Sequence, residues 1–456
     1  MKTYALESTV RNQASGSILL IIATVVALIV ANLPLTSEIY KEVWLMPVTL
    51  GVGELDFFSH AGHPMSLLNF INDFLMAIFF LSVGLEIKRE LLCGELSSIK
   101  KALLPVIGAC GGMLVPVIVF LLVPKADPIM NRGMAIPMAT DIAFSLGVIS
   151  MFDKRVPVGL KIFLAALAVA DDLCGIIVIA IKYTDHLETN FLLGALFFVA
   201  VLIAGNYCNV RTKAFYFSFG LMLWYCMLNS GIHATISGVI LAFCVPANLK
   251  RGTKVYIERI RKALNYFPII EVTDADRKKP AMLSDEDIQI LKTVESNSDR
   301  LISPLQDMED ILKIPISIYI IPIFAFANAG VDFSGMSVMS LFSGVGLSVF
   351  LGLLIGKFVG VFSFSWLAIH LHIVQMPKLA TWSSFASVCM LCGIGFTVSM
   401  FMAELSYNTP SIPRELQIEL LNDAKLGILC GTIASALVGS MLLNLTLPAP
   451  QTENKE

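Results

Sequence analysis

Residues 165–180 read AALAVADDLCGIIVIA, with two adjacent carboxylates, Asp171 and Asp172, deep inside an apolar run that covers 156–181. A bilayer core about 30 Å thick takes about 20 apolar helical residues to cross, which this run supplies. A charged side chain at the centre of such a helix costs about 2.5–3.5 kcal/mol, so an ionised, unpaired pair would cost roughly 5–7 kcal/mol. A structural explanation therefore needs a partner for each acid. Neighbours on a helix point about 100° apart, which lets one aspartate face a water-filled cavity while the other turns to an adjacent helix. This stretch predicts a membrane helix that carries a functional polar site at mid-depth.

The rest of the chain repeats the same kind of run. Apolar stretches fall at 17–34, 68–85, 102–123, 134–151, 156–181, 191–208, 214–229, 232–247, 314–329, 345–369, 381–403 and 426–447. They predict an all-α polytopic membrane protein of about twelve transmembrane helices, a single transmembrane domain over 1–456. The composition agrees: 56% of the 456 residues are apolar and 15% charged, against about 45–50% and 25% in soluble domains. A soluble enzyme, a secreted disulfide scaffold and a nucleic-acid binder are excluded as main readings. The nine cysteines lie mostly inside apolar runs and read as small apolar residues; Cys389-x-x-Cys392 has redox spacing but no supporting His or Cys cluster. Ser17–Leu33 is long enough to span and lacks a small-residue cleavage site, so it reads as a retained first helix. With the N-terminus placed in the cytoplasm, inside segments together with Lys161 at the inner end of its span hold 25 Lys and Arg and outside segments 6, a bias that survives removal of the 12 in the long 248–313 segment. Both termini are therefore expected in the cytoplasm. Residues 248–313 read as a solvated cytoplasmic loop, charged at Lys278-Lys279 and with a helix start at Ser284-Asp285-Glu286-Asp287.

Other ionisable groups stand at depth. Lys357 lies mid-span in GLLIGKFVGV, the obvious partner for one aspartate, and Gly352, Gly356 and Gly360 flank it at intervals of four, a spacing that admits close approach of another helix. Asp141 sits in AIPMATDIAFSLG, where Pro137 removes a backbone hydrogen bond and Thr140-Asp141 can start a new helix. A helix broken at that depth survives where it lines a cavity, and such breaks mark ion sites. Cys392-Gly393-Ile394-Gly395-Phe396-Thr397 is a second candidate break. The two breaks fall in the middle helices of two three-helix groups, 102–181 and 345–447, that enter the membrane from opposite sides, as an inverted repeat requires. Asp73, in NFINDFLMAIFF, lies near a span end, where an interfacial and a buried functional reading both stay open. His233 opens the eighth span and by itself reads as a hydrogen-bonded structural residue; Glu86, Lys88, Arg89 and Glu90 by themselves read as a charged helix end.

The segments FINDFLMAIFFLSVGLEIKRE, AIPMATDIAFSLGV, LKIFLAALAVADDL, SGIHATISGVI, IPIFAFANAG, LIGK, LCGIGFT and AKLGIL together resemble the NhaA family of sodium/proton antiporters of bacterial inner membranes, over nearly the whole membrane domain. The resemblance implies an inverted-topology repeat with two discontinuous crossing helices, for which that family is itself a type case. It implies electrogenic efflux of Na+ and Li+ against H+, activation at alkaline pH, no cofactor, and a homodimer in the cell inner membrane. By motif, Asp172 is similar to the principal sodium- and proton-binding carboxylate, Asp171 to its neighbour, Lys357 to the lysine that pairs with Asp171, and Thr140-Asp141 to the crossing point. Glu86, Arg89, Glu90 and Glu309 resemble a cytoplasmic pH-response cluster, and His233 a histidine that affects pH dependence. Asp307 and Asp310 depart from the family pattern, which puts the pH set point in question and leaves the ion site untouched.

The residues make chemical sense of such exchange. Sodium, a hard cation, seeks the oxygens of carboxylates, hydroxyls and freed carbonyls. Three aspartates against one lysine leave a formal charge of −2 when all are ionised, and buried, crowded carboxylates hold protons more tightly. Sodium and protons then compete for the same oxygens. A sodium-coupled symporter of an organic anion would need arginines or asparagines at depth, of which few are present. An intramembrane aspartyl protease would need a Gly-x-Gly-Asp pattern and facing aspartates, and a passive channel would not hold buried charges that bind ions tightly.

Overall fold

A computed structural model describes residues 2–52, 55–56, 58–60, 63–152, 155–182, 187–248, 253–267, 283–299, 301–333, 344–409 and 412–447. These are helical almost throughout. The helices are α1 (Lys2–Asn32), α2 (Ser37–Leu45), α3 (Leu67–Cys93), α4 (Ile99–Leu122), α5 (Pro128–Met138), α6 (Ile142–Ser150), α7 (Val158–Lys182), α8 (Thr189–Tyr207) and α9 (Lys213–Leu228). They continue as α10 (Ile236–Cys244), α11 (Thr253–Tyr266), α12 (Asp285–Asp299), α13 (Pro304–Asn328), α14 (Gly344–His370), α15 (Trp382–Leu391), α16 (Phe396–Tyr407) and α17 (Arg414–Thr446). Seven of them, α3, α4, α7, α8, α13, α14 and α17, are each long and apolar enough to cross a membrane. The pairs α5/α6 and α15/α16 are spans broken by bends of 45° and 44°, while α2 turns 110° away from α1. Every segment read as a span thus holds helix, and the protein is an all-α polytopic membrane protein.

Three features differ from the sequence reading. The stretch 232–247 is helical only from Ile236, because the residues before it prefer local bonds. Gly231 takes a left-handed φ of 85°, Ser230 Oγ donates to the Met227 carbonyl, and His233 Nδ1 meets Thr235 Oγ1 at 2.9 Å. Second, short antiparallel ribbons pair Pro47–Val48 and Ser59–His60 with His63–Ser66, and Gly51–Val52 with Leu55–Asp56; strands this short leave no periodicity to read. Third, the loop after α10 holds two helices, not one. The expected start at Ser284 is there, its hydroxyl and the Asp287 carboxylate bonding reciprocally across the first turn of α12. Lys278-Lys279 lies outside the described residues.

The groups α4–α7 and α14–α17 share one order: a long helix, a broken helix, a long helix. They meet along α4 and α14, where the spaced glycines sit. A Cβ on Gly360 would strike the Gly111 carbonyl, one on Gly356 would meet Pro116, and one on Gly352 would meet Pro137. The backbones therefore touch because no side chain intervenes. Inside α14 the turn Gly352–Gly356 widens to a π-helix directly ahead of Lys357, and the same widening occurs at Ile71–Leu75 in α3 and Ile316–Ile320 in α13. Asn72 in the first of these turns exchanges amide hydrogen bonds of 3.3 and 2.8 Å with Asn328 at the end of α13, both buried. That pair accounts for two of the motif asparagines, since a buried amide needs its partners supplied within the bundle.

Gly111→Ala should lower thermal stability by about 1–3 kcal/mol, the usual cost of overpacking, because its methyl would displace α14. An unchanged melting temperature in detergent would contradict the assigned contact.

Candidate ion-binding site

The two breaks cross each other. In the first chain segment, α5 is wound as a tight 3-10 helix that ends at Met138; Ala139 is extended, and α6 restarts at Ile142. In the second, α15 ends at Leu391 and α16 restarts at Phe396. Each break frees backbone groups that hydrocarbon cannot satisfy, and the other break supplies the partners. The Asp141 N–H donates to the Ile394 carbonyl at 2.7 Å, and Thr140 Oγ1 lies 3.0 Å from the Cys392 carbonyl oxygen.

Charges complete the crossing. Asp141 Oδ1 accepts the Phe144 N–H at 3.0 Å, and Oδ2 accepts both the Thr397 N–H at 3.1 Å and the Thr397 hydroxyl at 2.7 Å. One carboxylate therefore caps the N-termini of α6 and α16, the positive ends of two helix dipoles. Lys357 answers at the opposite pole: its ammonium donates to the Met138 carbonyl, the last of α5. Lys357 is fully buried.

The same ammonium reaches Asp171 Oδ2 at 2.7 Å, with both side chains completely enclosed. Thr140 Oγ1 sits 2.8 Å from that oxygen, so the threonine hydroxyl has two acceptors and one proton. Asp172, one residue on, shares neither of these partners. It and Asp171 line a cavity bounded by Phe80 of α3, Met138 of α5, Ile176 and Ile179 of α7, and Val398 and Met402 of α16. Asp171 Oδ1 and Asp172 Oδ1 are both buried with no hydrogen-bond partner. Thr140, Asp141, Asp171, Asp172 and Lys357, separated by up to 217 residues in the chain, thus form one cluster.

Two further groups named in the sequence lie apart from that cluster, sharing no hydrogen bond or ion pair with it among the described residues. At one, Arg89 Nη1 meets Glu309 Oε1 at 2.8 Å, its Nη2 meets Glu90 Oε1 at 3.2 Å and Glu86 Oε1 at 3.9 Å, and Lys313 reaches Glu309 at 3.1 Å. This joins the end of α3 to the start of α13. Lys88 is not part of it: its ammonium donates to the Phe243 carbonyl at 2.7 Å and to that of Val245, capping the C-terminus of α10. Of the two acids that depart from the family pattern, Asp307 pairs with Lys213 at 2.8 Å and Asp310 with Lys313 at 2.9 Å. At the other group, His233 Nε2 lies 3.6 Å from Asp73 Oδ1, and the His233 ring stands edge-on to Phe401 of α16. Asp73 is thus neither a bare interfacial charge nor a member of the cluster.

One buried pair is absent from the sequence reading. Glu404 in α16 and Lys425 in α17 are 2.9 Å apart and nearly inaccessible. Span limits drawn at 403 and 426 leave both in a loop, whereas α16 runs on to Tyr407 and α17 begins already at Arg414. The signal was the helical pattern continuing through both residues.

Half-helices that cross at membrane depth, with buried acids and one lysine at the crossing, define an ion-coupled secondary transporter. Comparison with known proteins then gives the family. Residues 7–443 match the family model described as Na+/H+ antiporter 1. The chain is 48% identical over 447 residues to a protein of Bacteroides thetaiotaomicron, covering 96% of this chain and 98% of that one. It is 46% identical over 439 residues to one of Phocaeicola vulgatus, covering 95% and 94%, and 41% identical over 436 residues to one of Escherichia coli O1:K1 / APEC, covering 96% and 97%. Each of these relatives is named Na(+)/H(+) antiporter NhaA. The chain belongs to the Na+/H+ antiporter 1 family, whose members are transporters and not enzymes.

Glu404→Leu alone should cost about 3–5 kcal/mol of stability, since it strands a buried ammonium, while the double change Glu404→Leu with Lys425→Met should recover most of it. Thermal unfolding of the three proteins in detergent measures both; equal losses for the single and double variants would refute a paired state.

Proposed function

We propose that the protein exports sodium in exchange for protons, with Asp172 as the carboxylate that binds one or the other. The observation that carries this reading is the asymmetry of the pair. The charge of Asp171 is answered by Lys357, and that of Asp141 by two helix N-termini, whereas Asp172 has a buried, unpartnered oxygen in the cavity. An ionised carboxylate so placed is costly until a cation neutralises it. A proton does so on one oxygen; sodium does so with Asp172 Oδ1 and Asp171 Oδ1 as its carboxylate ligands. The two ligands exclude each other because they use the same charge. Exchange follows when the site changes sides only in its neutralised forms.

The Asp171–Lys357 pair extends the proposal to an electrogenic cycle. Sodium drawn to Asp171 competes with the Lys357 ammonium for that carboxylate, which makes Lys357 the candidate for a second proton released as sodium binds. More than one proton then crosses for each sodium. Lithium, of the same charge and oxygen preference, falls under the same reading. Activation at alkaline pH through Glu86, Arg89, Glu90, Glu309 and His233 belongs to the proposal as well. It is supported by the way these groups tie α13, and the turn ahead of α10, to α3 and α16, two of the helices whose side chains line the cavity. An inner-membrane location with both termini cytoplasmic and a homodimeric assembly complete it, resting on the distribution of Lys and Arg and on the family resemblance.

In liposomes holding the purified protein, with internal pH followed as sodium is added, Asp172→Asn should abolish exchange, since an amide neither releases a proton nor balances the charge of sodium. Normal exchange by this variant would sink the site assignment. Lys357→Ala should change the pH profile or the number of protons per sodium and lower the melting temperature; a variant matching the parent in all three would remove Lys357 from the cycle.

A further inference from the structure

The loop between α10 and α13 carries a charge pattern that exchange does not use. Six Lys or Arg fall among the thirteen residues 250–262, against a single acid, Glu258. Four of the six, Lys254, Arg259, Arg261 and Lys262, are on α11, and all four are solvent-exposed. The next helix, α12, packs on α11 and opens with Asp285, Glu286 and Asp287. Opposite charges on packed helices would be expected to neutralise each other. They do not: among the described residues none of the four basic side chains is in an ion pair. The buried residues of the two helices are Tyr256 of α11 and Asn297 of α12, and of the four basic side chains Arg259 lies 6.0 Å from the Tyr256 ring centre. The four charges are left exposed to solvent without the acids that could have satisfied them. Ile257 and Leu264 lie beside them on α11, about half exposed at 49% and 53%.

Geometry limits what can meet this surface. The hairpin is held at both ends by membrane helices, α10 ending at Cys244 and α13 starting at Pro304. The two ends of the loop are joined at its base, where the Leu305 N–H donates to the Pro246 carbonyl at 3.3 Å. The eight residues between Cys244 and Thr253 reach at most about 30 Å when fully extended. The bilayer surface therefore always lies within reach of α11. A basic, amphipathic helix next to a membrane span fits a layer of anionic headgroups, which draws Lys and Arg from within about a Debye length.

We propose that α11 is a docking surface for anionic phospholipid headgroups, lying along the membrane face through Lys254, Arg259, Arg261 and Lys262, with the acidic α12 on its solvent side. The attraction is electrostatic, so it weakens with salt, and Ile257 and Leu264 contribute at the level of the headgroups.

The test uses the full chain in nanodiscs of phosphatidylcholine alone or mixed with phosphatidylglycerol, with amide hydrogen exchange read for residues 253–266. Phosphatidylglycerol should slow exchange of this segment about tenfold, high salt should reverse the effect, and the variant with Lys254, Arg259, Arg261 and Lys262 all changed to Gln should show no dependence on lipid. These side chains are exposed and remote from the ion cluster, so the variant should fold and retain the parent's sodium-driven proton release. Equal exchange rates in the two lipids would overturn the proposal, as would slowing that persists in the four-Gln variant. Protection found equally in both lipids and lost on dilution would assign the face to a protein partner instead, and equally overturn it.

Discussion

Everything near the candidate ion site depends on how four half-helix ends are satisfied at membrane depth. A helix that stops inside hydrocarbon exposes carbonyls at one end and N–H groups at the other, each carrying part of a dipole. Two such stops placed against each other would be ruinous without compensation. Here the backbones bond across the crossing, Asp141 serves the two N-termini, and Lys357 serves the end of α5. The cross is stable because its polar groups are nearly all spent on one another.

What is left unspent is what can do work. Lys357 is shared between a structural carbonyl and Asp171, and Thr140 between a structural carbonyl and the same carboxylate. The state of Asp171 is therefore coupled to the joints of both broken helices. A ligand that takes charge away from Asp171 or Asp172 alters the balance at Lys357 and, through it, the end of α5. This gives a physical route by which occupancy biases the position of half-helices that also form the cavity wall through Met138, Val398 and Met402. Glycine contacts between α4 and α14 hold Lys357 at fixed height against this joint, and the widened turn before it sets the direction of its side chain.

A second layer surrounds this core. The Arg89–Glu309 network and the His233–Asp73 contact each engage α3, whose Phe80 lines the cavity. Asp307 and Asp310, where this chain departs from the family pattern, join ion pairs of their own with Lys213 and Lys313. The proposed control is thus spread over pairings that link elements, while the candidate ion site is compact.

Much of this was legible in the sequence because membrane physics makes charge conspicuous. In an apolar run, Asp171, Asp172, Asp141 and Lys357 stand out by their cost alone, and Pro137 and the Gly393–Gly395 stretch mark the breaks by backbone chemistry. Span limits were less legible: Glu404 and Lys425 look like loop residues until their helices are seen to extend past them, and the turn at Ser230–Thr235 hides in an apolar stretch. Pairing was the part composition could not reach. Nothing local says that Asp141 caps a helix 256 residues away, that Asn72 finds Asn328, or that, among the described residues, the basic side chains of α11 form no ion pair with acidic α12. A sequence lists which groups must be compensated in hydrocarbon; only the folded bundle, by deciding which helix ends meet, determines what compensates each and which carboxylate is left without a counter-charge.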